Sequence, residues 1–128
     1  MSRALIDTNI FVARETGRSL DLSKIPDELA VSVVTIAELQ IGILTAGDAA
    51  TRQRRLITYR GALAFNSIEI TVQIADAWAS LRLFLRGTKS SLTVNDLWIA
   101  ATALTLGVPL ITQNQDLVGL PNIETILV

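Results

Sequence analysis

Four acidic residues stand at points where a predicted strand ends or a predicted helix begins. They are Asp7, Glu38, Asp96 and Asp116. Because the carboxyl ends of parallel strands meet at one edge of a sheet, we expect at least three of these side chains to converge there. Carboxylates that converge without a lysine or arginine beside them repel one another unless a cation lies between them. The spacing therefore predicts a cation site.

Each acid also has an interpretation as a helix cap. Asp7 and Asp116 fall where a carboxylate can accept backbone N–H bonds or complement the positive end of a helix. Thr35-Ile36-Ala37-Glu38 has the form of a complete capping box, and Thr93-Val94-Asn95-Asp96 nearly has it. Both interpretations stay open for any single acid, whereas the four together favour a site.

The chain contains no cysteine and no histidine. This composition excludes thiolate nucleophiles, Ser-His relays and zinc sites built from Cys and His. A metal must then be bound by oxygen atoms, which favours Mg²⁺ or Mn²⁺. For a phosphodiester, the available nucleophile is water activated by that cation, which also stabilises charge developing on the phosphate. A carboxylate such as Glu38 can accept the proton or position the water.

The elements that must position these acids alternate along the 128 residues, which we assign to one domain, residues 1–128. Strands are predicted at 4–6, 29–34, 67–70, 109–111 and 123–128, and helices at 8–16, 36–44, 48–65, 71–86 and 95–106, with a helical turn at 114–117. This alternation predicts an α/β fold with a mostly parallel central sheet, flanked by helices, and an acidic site at the carboxyl edge.

Half of the residues are hydrophobic and 5% are aromatic, which predicts a core of Leu, Ile, Val and Ala. The longest apolar stretch, 97–108, is shorter than the ~20 residues that a membrane span needs. Met1-Ser2-Arg3 leads directly into a predicted strand without a leader-peptide pattern. We therefore expect a cytoplasmic protein with no membrane association.

Four motifs resemble, in order, those of PIN domains. Leu5-Ile6-Asp7-Thr8-Asn9 is similar to the opening motif, and Val34-Thr35-Ile36-Ala37-Glu38-Leu39 to the second. Asn95-Asp96-Leu97-Trp98-Ile99-Ala100-Ala101 resembles the third, and Ile111-Thr112-Gln113-Asn114-Gln115-Asp116 the fourth. Each motif alone is a weak pattern. All four in family order, spread over the length of the chain, form a specific signal.

The resemblance implies a PIN-like fold that binds one or two Mg²⁺ or Mn²⁺ ions and hydrolyses RNA phosphodiesters. By position, Asp7, Asp96 and Asp116 would be direct metal ligands, and Glu38 would act partly through a water. Thr112 and Asn114 would orient ligands or waters. Asn114 stands where some members carry another aspartate, which weakens the case for a second metal ion.

Outside the four acids, the chain carries 11 basic and 8 acidic residues, a net charge of +3. A mildly cationic face suits a phosphate-bearing substrate. The candidate RNA contacts are Arg52, Arg54, Arg55, Arg60, Arg82 and Arg86. For any one of them, the alternative is an ordinary solvated helix face.

A PIN-like chain of this size, without further domains, resembles prokaryotic VapC-type toxins of toxin–antitoxin systems more than eukaryotic PIN nucleases. That resemblance implies an endoribonuclease that forms a homodimer, and a cognate antitoxin that covers apolar surface and blocks the site. Apolar contacts could come from Trp78, Leu81 and Phe84, or from Ile41 and Leu44. Burial in the core is the alternative for each of these residues.

Other protein classes fit less well. A catalytically silent PIN-like module that binds RNA or protein would have no reason to keep acids at all four motif positions. A phospho-receiver domain needs a lysine at a late strand end, but the two lysines are Lys24 and Lys89. A dinucleotide-binding domain needs a glycine-rich turn where Asp-Thr-Asn follows the first strand. A phosphatase of the haloacid dehalogenase type needs a second aspartate where Asn9 stands.

Overall fold

The sheet at the centre of the molecule is parallel throughout. The computed structural model describes residues 2–128, and its strands are β1 (Arg3–Ile6), β2 (Glu28–Ser32), β3 (Asn66–Ile68), β4 (Leu110–Thr112) and β5 (Thr125–Leu127). They are ordered β3-β2-β1-β4-β5, and each neighbouring pair is parallel. The predicted α/β fold is confirmed. Since β1 is the middle strand, Asp7 emerges at the centre of the carboxyl edge.

In the part of the chain that the structure describes, five α-helices flank the sheet: α1 (Thr8–Glu15), α2 (Val33–Leu44), α3 (Ala49–Leu63), α4 (Val72–Phe84) and α5 (Val94–Leu106). Short 3-10 helices lie at Leu22–Lys24 and Gln115–Leu117. Each α-helix begins after a polar cap residue that accepts a backbone N–H bond. Gly107 follows the last residue of α5 and caps the helix, with a φ of +66° that a glycine adopts without steric cost. Within residues 2–128, no helix is both long enough and apolar enough to cross a membrane.

The two faces of the sheet carry separate hydrophobic clusters, because neighbouring residues of a strand face opposite sides. Leu5 packs with Leu81 of α4 and with Leu97 and Ile99 of α5. Ala4 and Ile6 pack on the other face with Ile10 of α1. Leu81 is only 1% exposed, so of the two interpretations left open for it, burial in the core is the correct one.

The start of α2 differs from the prediction. Residues 29–34 were expected to form one strand because Val33 and Val34 favour strands. Instead, β2 ends at Ser32, whose hydroxyl accepts the N–H of Val34 and caps the helix. α2 therefore begins three residues earlier than predicted, and Thr35 lies inside it instead of at its cap.

The short strands β3 and β5 form the two edges of the sheet. The two residues that flank β5 both bond to β4: the Glu124 carbonyl accepts the N–H of Leu110, and the Val128 N–H donates to the Thr112 carbonyl. Leu127 therefore directs its backbone groups away from β4. Its carbonyl oxygen accepts a hydrogen bond of 3.4 Å from the Lys24 ammonium group.

Candidate active site

Asp7 is the most enclosed of the four acids. It follows β1, caps α1, and is 3% exposed. One carboxylate oxygen accepts the N–H of Thr8 at 2.7 Å, and the other accepts the hydroxyl of Thr112, also at 2.7 Å. The capping interpretation is thus correct for Asp7, but capping does not require burial. Burial of an acid calls for a further explanation.

The pKa of Asp7 is raised from 3.8 to about 6. Burial is the largest cause because it penalises the charged form, while the bonds from Thr112 and Thr8 act in the opposite direction. The negative charges of Asp96 and Glu38 raise the pKa further. Asp96 and Glu38 therefore each lie close enough to Asp7 to repel its charge. Both ion pairs found in residues 2–128 lie elsewhere, at Arg3–Glu28 and Lys24–Asp21.

Glu38 reaches this group from α2. Its carboxylate accepts the hydroxyl of Thr8 at 2.7 Å, and that hydroxyl lies 2.8 Å from the hydroxyl of Thr35. Because the single hydrogen of Thr8 goes to Glu38, the hydroxyl of Thr35 must donate to Thr8. The capping-box interpretation of Thr35 and Glu38 is wrong, since Ser32 caps α2. A chain of two hydroxyls orients Glu38 instead.

Asp96 caps α5, and its charge also reaches Asp7. It forms a complete capping box with Thr93: its carboxylate accepts the Thr93 N–H at 2.8 Å, and its own N–H donates to the Thr93 hydroxyl at 3.1 Å. Its charge also acts on Asp7. The capping bond fixes the position of a carboxylate that faces the buried acid.

Asp116 is held apart from the other three acids. Its carboxylate accepts a short hydrogen bond from the hydroxyl of Ser91, and its charge is not among those that raise the pKa of Asp7. Among residues 2–128, no three acids form a set that could enclose a metal ion. The structure therefore brings Asp7, Glu38 and Asp96 into electrostatic contact and leaves Asp116 at their side.

Thr112 is a fully buried junction beside Asp7. Its hydroxyl donates to Asp7 and accepts from the side-chain amide of Asn9 at 3.0 Å and the backbone N–H of Asn114 at 2.9 Å. All three of its hydrogen-bonding positions are therefore used. The side chain of Asn114 in turn accepts the N–H of Asp116 at 3.0 Å. Thr112 and Asn114 thus connect Asp7 with Asp116.

The sequence prediction of the site did not include four polar residues that hold the acids: Thr8, Asn9, Thr35 and Ser91. Three of them lie within the motifs already quoted, next to or near an acid. Ser91 carries no such signal, because it lies in an exposed loop 25 positions from Asp116.

The donor chemistry at this site fits a divalent cation bound by oxygen. Asp7 has a buried carboxylate with no cationic partner in residues 2–128, and Asp96 and Glu38 add further oxygen donors. Mg²⁺ usually keeps several waters and binds through only one or two carboxylates. The lack of three enclosing acids is therefore compatible with Mg²⁺ held by Asp7 and Asp96.

Comparison with known proteins gives one consistent family. The PIN-domain family model matches residues 4–122. Ribonuclease VapC5 of Mycobacterium tuberculosis is 40% identical over 91% of this chain and 86% of its own length. Ribonuclease VapC4 of the same organism is 39% identical over 98% of this chain and 97% of its own. The crystal structure of VapBC-5, a toxin–antitoxin system of M. tuberculosis, superposes with a TM-score of 0.87 and 36% identity, covering 100% of both chains.

Proposed function

This chain belongs to the PIN-domain family, and on that premise we propose that it is a metal-dependent endoribonuclease and the toxin of a toxin–antitoxin pair. The observation that carries the proposal is the buried Asp7 carboxylate, which faces Asp96 and Glu38 without a cationic partner in the described residues. Relatives named ribonuclease, about 40% identical over nearly the whole chain, support the same activity.

Asp7 and Asp96 would hold Mg²⁺ or Mn²⁺, and Glu38 would contribute through a water. A bound divalent ion supplies charge stabilisation at the phosphate and makes water more acidic. The Thr112 hydroxyl and the α5 capping box keep the two aspartates in place before substrate arrives. Such preorganisation lowers the cost of positioning charges in the transition state.

The remaining polar groups assist with the proton and with orientation. Glu38, held by the Thr8 hydroxyl, accepts the proton of the attacking water, while the P–O bond to the leaving ribose oxygen breaks and that oxygen takes a proton from solvent water. Asp116 stands at the side of this group, with one carboxylate oxygen bonded to Ser91. It would contact the substrate or a water beside the cation.

The proposal includes a cognate antitoxin and a second copy of this chain as partners. The VapBC-5 relative is a toxin–antitoxin system, and this chain exposes apolar side chains that such partners could cover. Ile41 and Leu44 on α2 are 58% and 72% exposed, and Phe84 on α4 is also exposed. Trp78 is half-buried and stacks on Trp98, so only part of its ring can contact a partner chain. A toxin that acts on cellular RNA would work in the cytoplasm.

Cleavage of RNA by the purified chain tests the enzymatic part of the proposal. We expect cleavage with Mg²⁺ or Mn²⁺, none in EDTA, and no effect of thiol reagents, because the chain has no cysteine. Asp7→Asn is the inactive variant, and Asp76→Asn, on the exposed face of α4, is its matched control. Cleavage that continues in EDTA would exclude the metal mechanism. Toxicity equal in wild type and Asp7→Asn would indicate harm through binding by a catalytically silent module.

A further inference from the structure

The arginines that the sequence offered as RNA contacts are not equivalent in the structure. Arg55 donates to the Gly42 carbonyl at 2.6 Å, and Arg54 donates to the Thr51 hydroxyl at 3.1 Å. Arg55 therefore ties α3 to α2, whereas the single bond of Arg54 stays within α3. Arg52, Arg60, Arg82 and Arg86 form no ion pair or side-chain hydrogen bond with the described residues, and all four are exposed. Their charges are available to a ligand.

Arg82 and Arg86 line one depression of about 560 Å³ at the end of α4. The other lining residues are Leu83, Leu85, Gly87 and Thr88. The wall thus combines two guanidinium groups with apolar and small residues. By contrast, a depression of about 410 Å³ between α1 and α3 has Glu15 in its wall beside Arg14 and Arg54, which makes it less favourable for an anion.

A fixed turn shapes this depression. Gly87 has a φ of +79°, which a side chain would strain, and the Thr88 backbone N–H and hydroxyl both donate to the Leu85 carbonyl, at 3.0 and 2.7 Å. The turn therefore needs no ligand to order it. A preformed site loses less entropy on binding than a flexible one.

The depression also lies near the acids. Thr88 in its wall precedes Ser91 by three residues, and three residues of chain span at most about 11 Å. Ser91 donates to Asp116, and Thr93, two residues further on, caps the helix that carries Asp96. An RNA strand that reaches these acids can therefore extend over the same loop toward Arg82 and Arg86.

We infer that the depression at the end of α4, with Arg82 and Arg86 in its wall, binds the phosphate backbone of the RNA strand extending from the cleavage site. The inference rests on the proposed function for the identity of the strand. Guanidinium groups bind phosphate oxygens through paired hydrogen bonds, and Leu83, which is 66% exposed, offers an apolar surface to a ribose or base. The contact is to backbone phosphate, so it adds affinity without sequence preference.

The salt dependence of RNA binding tests this subsite without catalysis. A fluorescently labelled single-stranded RNA is titrated with protein in EDTA, at salt concentrations between about 50 and 200 mM. Each phosphate contact on a single strand contributes roughly 0.7 to the slope of log affinity against log salt. We therefore expect Arg82→Gln/Arg86→Gln to reduce the slope by about 1.4, and Arg82→Lys/Arg86→Lys to restore it.

The matched control is Arg14→Gln/Arg18→Gln, which removes the same charge from two exposed arginines at and just beyond the end of α1, neither of them a candidate RNA contact. This control should keep a slope close to that of the wild type. The inference is overturned if the α4 variant keeps the wild-type slope, or if the control loses as much, because net charge alone would then explain binding. With Mg²⁺, the α4 variant should raise KM and leave kcat unchanged. If the wild type cleaves no RNA with Mg²⁺, the proposed function fails, while the salt slope still reports on the subsite.

Discussion

Replacing Asp7 by asparagine should make the metal-free protein more stable at neutral pH. The wild-type carboxylate must ionise in a buried position where its pKa is about 6 instead of 3.8. At 1.36 kcal/mol per pKa unit, this difference costs the folded state about 3 kcal/mol at pH 7. Asparagine carries no charge and caps a helix as well as aspartate does. It loses one acceptor for Thr8 or Thr112, which costs about 1 kcal/mol, so the net gain is about 2 kcal/mol.

The sign of the pH dependence follows from the same shift. Between about pH 4 and 6, folded Asp7 binds a proton more readily than unfolded Asp7, so wild-type stability rises as the pH falls through this window. The advantage of Asp7→Asn should shrink to below about 1 kcal/mol near pH 5. Urea unfolding in EDTA at both pH values measures it, with Asp76→Asn as the surface control, which should change stability by less than about 0.5 kcal/mol.

Two results would refute this reasoning about Asp7. One is an Asp7→Asn variant that is less stable than the wild type at pH 7, which would make the carboxylate a stabilising cap only. The other is a stability difference that does not depend on pH. Adding Mg²⁺ should stabilise the wild type by about 2.7 kcal/mol at a hundred times its dissociation constant, and should leave Asp7→Asn nearly unchanged.

Substitutions at three further residues separate the roles of the polar side chains. Asp96→Asn should lower kcat by orders of magnitude and keep helix content, measured by circular dichroism, because asparagine can still accept the Thr93 N–H. A matching loss of helix would mean that Asp96 only caps α5. Ser91→Ala should lower kcat about tenfold by releasing Asp116, because one hydrogen bond to a charged group has about this energy. Ser91→Thr keeps the hydroxyl and should recover kcat. An unchanged kcat in Ser91→Ala would refute the positioning role of Ser91. Thr112→Val should cost about 3 kcal/mol of unfolding free energy by leaving buried groups unpaired, whereas Thr112→Ser should cost much less.

The sheet and helices were predictable because their signals are local. Short apolar runs alternate along the chain with segments of helical periodicity, and this alternation predicts a parallel sheet. Asp7 directly follows the first apolar run, which predicts its position at the carboxyl edge. The start of α2 was missed because the strand preference of Val33 and Val34 competes with the cap at Ser32, and only the folded structure decides between them. Leu81 was offered as a partner contact because periodicity does not tell which face of α4 packs on the sheet.

The arrangement of the site was less predictable because its bonds join distant positions. Thr112 and Asp7 are 105 residues apart, and Ser91 and Asp116 are 25 apart. The motifs placed the acids on the correct elements, but no local pattern indicates that Ser91 donates a hydrogen bond to Asp116. That all four acids act together in catalysis stays a prediction. For the same reason, the sequence could not show that Asp96 both caps α5 and faces Asp7.

The bond from Lys24 to the Leu127 carbonyl has a consequence for the behaviour of the protein at high concentration. An outward carbonyl on an edge strand can accept the backbone of another molecule and extend the sheet between chains. Lys24 occupies this acceptor and places a positive charge at the edge. In a chain with a mean hydropathy of +0.46, this contact opposes aggregation through β5. Removing the charge at Lys24 should therefore lower solubility before it affects folding or activity.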